Sequence, residues 1–155
     1  MSLESVRAFF AEKAPDIAVI ELATSTATVA EAADGHGVAR GQIAKTLSIR
    51  VGDQVALVVT RGDARLDNKK AKAFFGGKVR MLDLPEVEAL TGHPVGGVCP
   101  FGLRAPLPVY CDLSLKAFDE VVPAAGSTHS SVRIAPGRMA ELTDAAWIDV
   151  CAVPA

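Results

Sequence analysis

Residues 92–102, GHPVGGVCPFG, set four glycines and two prolines around an apolar centre of Val98, Cys99, Pro100 and Phe101. Gly96 and Gly97 leave backbone amides unscreened, and glycine lets a backbone come close to a ligand. Pro94 and Pro100 each fix φ, so little of the loop has to be ordered on binding. Amides held in this way suit a carbonyl, or the oxyanion that forms from one. The competing reading is a crossing where two backbones pack tightly. Cys99 is a nucleophile only beside a base. None stands next to it in the sequence, and cysteine is among the residues most often buried.

The second candidate is Lys45, in GQIAKTLSI. If this segment is a strand, Ile43, Lys45, Leu47 and Ile49 share one face and Ala44, Thr46 and Ser48 the other. A lysine among Ile and Leu is costly unless it sits at a pocket rim or meets an anion, and a phosphate or a carboxylate would suit it. Otherwise it snorkels from a strand end. The histidines His36, His93 and His129 lack HxxxH or HExxH spacing, so no metal site is expected. Cys99, Cys111 and Cys151 are odd in number and lack CxxC spacing. That argues against a disulfide framework and against a cysteine zinc site. No GxSxG, P-loop or GxGxxG is present, and no cofactor is expected.

Charge is unevenly placed. Residues 61–80 carry Arg61, Arg65, Lys69, Lys70, Lys72, Lys78 and Arg80 against Asp63 and Asp67, a local charge of +5 in a chain of −2. A basic patch on an acidic body suggests an anionic partner such as RNA. A solvated helix face reads the same way on charge alone.

The elements that must position these residues follow from pattern. The 155 residues fit one domain, 1–155, and half of them are hydrophobic, which is globular composition. No signal-peptide pattern and no apolar run of membrane-spanning length is present, so a cytoplasmic protein is expected. Helices are predicted at 2–14, capped by Ser2 and stopped by Pro15, at 25–37, capped by Ser25 or Thr26, at 66–76, at 84–92 and from 137. Strands are predicted at 16–22, at 78–82 and at 107–115. A hairpin spans 41–60 about Gly52-Asp53, and a late strand pair spans 119–126 and 130–136. Helices alternating with strands, several of them adjacent, give an α/β or α+β domain with a mixed sheet among short helices.

Taken together, ATSTATVAEAA, the lysine strand, RLDNKKAKAFFGG, LPEVEALTGHPVGGVCPFG and AAGSTHSS resemble the YbaK/prolyl-tRNA synthetase editing-domain family. Their order and spacing are the specific part. The resemblance implies that family's mixed-sheet fold and an aminoacyl-tRNA deacylase that acts on the acceptor end of a mischarged tRNA. Lys45 would help place the terminal adenosine and its phosphate. Gly96, Gly97, Val98, Cys99 and Pro100, read as G-x-x-x-P, would bind the aminoacyl carbonyl through backbone. Thr46, Phe101 and His129 would contact substrate, with Ser48 another candidate for the pocket wall. Arg61, Arg65, Lys69, Lys70 and Lys72 would meet tRNA phosphates. A synthetase or an elongation factor would be a further partner. Thr46 after the lysine and Cys99 before the proline depart from some relatives, which bears on whether Ala, Cys or Ser is removed.

Overall fold

The computed structural model describes residues 2–154. Its centre is a hairpin of β2 (Ile43–Val51) and β3 (Gln54–Arg61), turned at Gly52, where φ is +58°. Ile, Val and Leu dominate both strands and favour the pleated, buried surface they form. β6 (Val109–Asp112) adds to β3 in parallel, and β9 (Ala146–Ile148) adds to β6 in parallel. On the outer edge of β2 two short strands share the length. β7 (Val122–Pro123) pairs in parallel with Ile43 and Ala44, and β5 (Val79–Met81) pairs antiparallel with residues 49–51. The expected mixed sheet is therefore present, and its β2 edge is covered at both ends but not in the middle.

Short helices cover the sheet. The apolar stripe of α1 (Ser2–Lys13) puts Val6 and Phe10 against Leu57, Val59, Cys111 and Phe101 on one face. α5 (Pro136–Leu142) adds Met139 to the same cluster. α3 (Asn68–Phe75) buries Ala71 on the other face, with Ile49, Val58 and Ile148. α2 (Val29–His36) sets Ala32 and Ala33 against Ile43 and Val122. α4 (Leu84–Thr91) runs from Pro85 in its first turn to Gly92, where φ is +80°.

Several expectations are corrected. α2 is capped by Thr28, whose hydroxyl accepts from the Glu31 amide, and not by Ser25 or Thr26. Ser2 does not cap α1, because its hydroxyl meets the His93 ring. The strand expected at 16–22 shrinks to β1 (Ile20–Glu21), held by β8 (Ser130–Ser131). The strand expected at 107–115 gives way at Asp112, whose side chain accepts from the Ser114 amide and opens a 3-10 turn over Leu113–Ala117. The late strand pair survives as single bridges, Val121 to Ile134 and Ala124 to Ser131, while β7 and β8 pair elsewhere. β4 (Arg65–Leu66), β9 and β10 (Cys151–Ala152) are additions, and β4 pairs with β10.

Candidate functional site

The gap in the β2 edge opens into a cavity of about 330 Å³. Leu82 donates to the Ser48 carbonyl, so Ser48 turns its backbone away from β3. Antiparallel alternation turns the Thr46 backbone the same way. Thr46 falls between the two short strands and pairs with neither. The cavity is walled by β2 from Ile43 to Ser48, by Gly96 and Val98 of the loop, by the segment around Thr26, by the β5–α4 corner and by Val122 and Ala124.

The two central glycines of the loop do different work. Gly96 lines the cavity with φ at +91°, and a Cβ there would lie 2.8 Å from the Ala27 Cβ. Gly97 stands back from it. Its amide donates to the Pro94 carbonyl at 2.9 Å, and a Cβ would meet the Ser127 nitrogen at 2.7 Å. The Gly97 carbonyl accepts from Gly126. Tight backbone packing therefore accounts for both glycines, and Gly96 alone also lines the cavity. Among the described residues the Gly96 and Val98 amides take no hydrogen-bond partner.

Lys45 lines the same cavity from the opposite face of β2, the face of Leu47 and Ile49. It is half-buried, and its ammonium donates to the Ala64 carbonyl at 2.5 Å. Burial pulls the ammonium below the usual lysine value, and nearby Cys151 and Asp63 oppose that shift. The lysine is thus neither free in water nor matched to a carboxylate.

Four of the expected site residues share the cavity: Lys45, Thr46, Gly96 and Val98, with Ser48 beside them. Others do not reach it. Cys99 and Phe101 are 0 % exposed and belong to the core, the Phe101 ring packing tilted against Phe10 with centroids 4.7 Å apart. Pro100 is buried between them. His129 is exposed. Its carbonyl accepts from Leu22 and its ring meets Thr128, which makes it a support of the β1 edge and not a cavity wall. Arg61 is spent on Asp63 at 2.6 and 3.1 Å, and Lys70 on Asp149 at 3.0 Å. Arg65, Lys69 and Lys72 are exposed on the surface beyond the cavity wall.

His93, which the sequence marks only as the opening of the loop, is 0 % exposed. Its Nε2 lies 2.7 Å from the Phe101 carbonyl and 3.6 Å from Cys99 Sγ, and its Nδ1 meets the Ser2 hydroxyl. A carbonyl only accepts, so Nε2 carries the proton and Nδ1 accepts from Ser2. A protonated Nε2 cannot take a proton from Cys99. Burial also pushes the Cys99 thiol up to about 12. The pair is a pin between α1 and the loop, not a nucleophile with its base. The signal for it in the sequence is a histidine flanked by glycine and proline in an otherwise apolar loop.

The structure is thus an α/β domain with a sheet-edge hollow lined by Gly96 and Val98, whose amides are unpartnered, and with no nucleophile–base pair beside it. Residues 23–142 match the aminoacyl-tRNA editing domain, and the chain belongs to that family. YwhH of Bacillus subtilis (strain 168), a protein without an assigned activity, is 50% identical over 153 residues, 97% of this chain and 98% of that one. EbsC of Enterococcus faecalis (strain ATCC 700802 / V583), named as a candidate Cys-tRNA(Pro)/Cys-tRNA(Cys) deacylase, is 33% identical over 76% of this chain and 73% of its own. A crystal structure described as that of a candidate trans-editing enzyme for prolyl tRNA synthetase superposes with a TM-score of 0.89. It is 35% identical and covers 96% of each chain. Among the described residues no group of three or more His, Cys, Asp or Glu is placed to hold a metal ion, and no helix is long and apolar enough to cross a membrane.

Proposed function

We propose that this chain is a deacylase acting in trans, hydrolysing the ester of a mischarged tRNA that carries a small amino acid such as Ala, Cys or Ser, with the proline acceptor as the first candidate. One observation carries the reading: Lys45, the open β2 edge and the unpartnered Gly96 and Val98 amides meet in one cavity. Family membership and the names of the relatives support it.

An aminoacyl ester needs little activation. Its carbonyl must be held and its oxyanion stabilised while water adds. In the proposed course the carbonyl oxygen accepts from the Gly96 and Val98 amides. Water adds to the carbonyl carbon, and its proton passes through the neighbouring ribose hydroxyl. The intermediate expels the esterified ribose oxygen, which takes a proton, and the amino acid leaves as a carboxylate. Lys45 exchanges the Ala64 carbonyl for the phosphate of the terminal adenosine, a stronger, charge-assisted partner. Such an enzyme is useful because one methylene is worth only about 1–3 kcal/mol of discrimination in a synthetase pocket. A synthetase or an elongation factor would supply the tRNA context that a domain of this size does not read alone.

The test is deacylation of Ala-, Cys-, Ser-, Thr- and Pro-tRNA on the proline acceptor by the wild type and Lys45→Ala. Hydrolysis of one or two mischarged species, reduced at least tenfold in a folded variant, is the expected result. Binding of tRNA with no hydrolysis of any species would make the chain a non-catalytic RNA- or synthetase-binding module instead.

A further inference from the structure

We infer that the cavity selects an aminoacyl group whose side chain bears a hydroxyl, seryl before alanyl, and that Thr26 and Thr46 make the selection. The inference rests on the deacylase reading. Among the described residues three buried side-chain polar atoms lack a hydrogen-bond partner, and two of them, Thr26 Oγ1 and Thr46 Oγ1, belong to residues of this one cavity wall, tucked behind its surface. Thr26 is 5% exposed. Buried hydroxyls are normally partnered, and one that is not carries an unrecovered desolvation cost. Two in the same wall point to a group that completes both.

Of the other polar side chains around them, Ser48 and Ser131 add further hydroxyls to the wall, and two are committed. The Thr28 hydroxyl caps α2 and the Lys45 ammonium is on Ala64. The remaining wall is largely apolar, from Ala27, Ala44 and Ala124 to Leu82, Leu84 and Val98. A threonine exchanges hydroxyl for methyl by a single χ1 step, so both hydroxyls can turn to a ligand without moving the backbone. The segment of Thr26 runs beside Gly96, and Thr46 stands on the β2 face that carries Ala44 into the cluster of Cys99. Both threonines therefore flank the amides proposed to hold the carbonyl, close to where the amino-acid side chain departs.

A serine hydroxyl donates once and accepts twice, so it can accept from one threonine and donate to the other. An α-ammonium offers donors only and would leave both threonine hydrogens unplaced. An alanine methyl satisfies neither hydroxyl, and a cysteine thiol does so weakly. A site built to bond a hydroxyl rejects the analogue that lacks it far more strongly than an apolar pocket rejects one methylene.

The test compares Ser-, Cys- and Ala-tRNA on the same proline acceptor, with wild type, Thr26→Val, Thr46→Val, both together, and the Thr→Ser pair. The wild type is expected to hydrolyse Ser-tRNA at least tenfold faster than Ala-tRNA, with Cys-tRNA between. The double valine variant brings the Ser/Ala ratio towards one, and the serine pair keeps it. Ala- or Cys-tRNA hydrolysed as fast as Ser-tRNA overturns the inference while leaving the deacylase reading in place. A Ser/Ala ratio unchanged in the valine variants, even with all rates reduced, also overturns it, because the hydroxyls would then hold a group common to every substrate. No hydrolysis of any species removes the deacylase reading and this inference with it.

Discussion

His93 shows how one buried side chain sets the behaviour of a loop. Burial lowers its proton affinity, and the bond to Phe101 opposes that only in part. The native state therefore holds a neutral ring where the unfolded chain binds a proton near the usual value of 6.5. Stability is complete above that pH and declines as the pH falls through 6.5, because the unfolded state binds more protons. His36, also lowered by burial, adds in the same direction. Thermal unfolding from pH 8 to pH 5 should show this decline, and His93→Asn should make it shallower. An equal slope in the variant would remove His93 as a source. Cys99 and Lys45 were visible in the sequence as candidates for chemistry. Their fates differ because the sequence does not show which side of a loop is sealed by α1. Cys99 lies under that helix, whereas Lys45 stands on the far face of a strand whose edge is open.

At the scale of elements, the loop after α4 is a rigid piece because of what its glycines touch. Gly97 abuts the backbone of Gly126 and Ser127 within 3 Å of any added Cβ. Gly97→Ala must push two backbone segments apart, at a cost of about 1–3 kcal/mol for overpacking. The displaced crossing also carries its neighbours Gly96 and Val98. The expected outcome is a lower midpoint in urea together with slower hydrolysis, and a variant with the wild-type midpoint would contradict the crossing. The hairpin, the five helices and the glycines that close α2, α3 and α4 were legible because each follows from local pattern: alternating β-branched residues, a capping residue, a glycine with positive φ. Of the strands of two or three residues, β5 falls inside the expected 78–82, and β7 and β8 fall inside the expected late pair but with other partners, whereas β4, β9 and β10 were not legible. β4, β7, β8 and β10 are set by which backbone lies beside them, and two residues carry no period to read. The cavity depends on this hidden part, since it is the shortness of β5 and β7 that leaves Thr46 uncovered. The cap of α2 is a different case, because its signal is local. Thr24, Ser25, Thr26 and Thr28 all precede α2, and Thr28 caps because it alone stands three residues before a glutamate, Glu31, whose amide and side chain both meet its hydroxyl.

Across the whole molecule, the basic stretch divides once partners are known. Arg61 and Lys70 are held by Asp63 and Asp149, whereas Arg65, Lys69 and Lys72 make no ion pair among the described residues. Exposed pairs such as Lys70 with Asp149 are weak and screened by salt, so α3 loses little if its lysines turn to phosphates. Lys69→Glu with Lys72→Glu is expected to weaken tRNA binding and to flatten the plot of log affinity against log salt by up to about 2 in slope. An unchanged slope would return these lysines to a solvated helix face. The cavity itself is walled by segments as far apart in the chain as Thr26 and Ser131. No fragment contains it, and it closes only when β2, the Gly96 loop and the β7 segment are all in place. The site is therefore an all-or-none property of the folded domain, gained or lost with it as a unit.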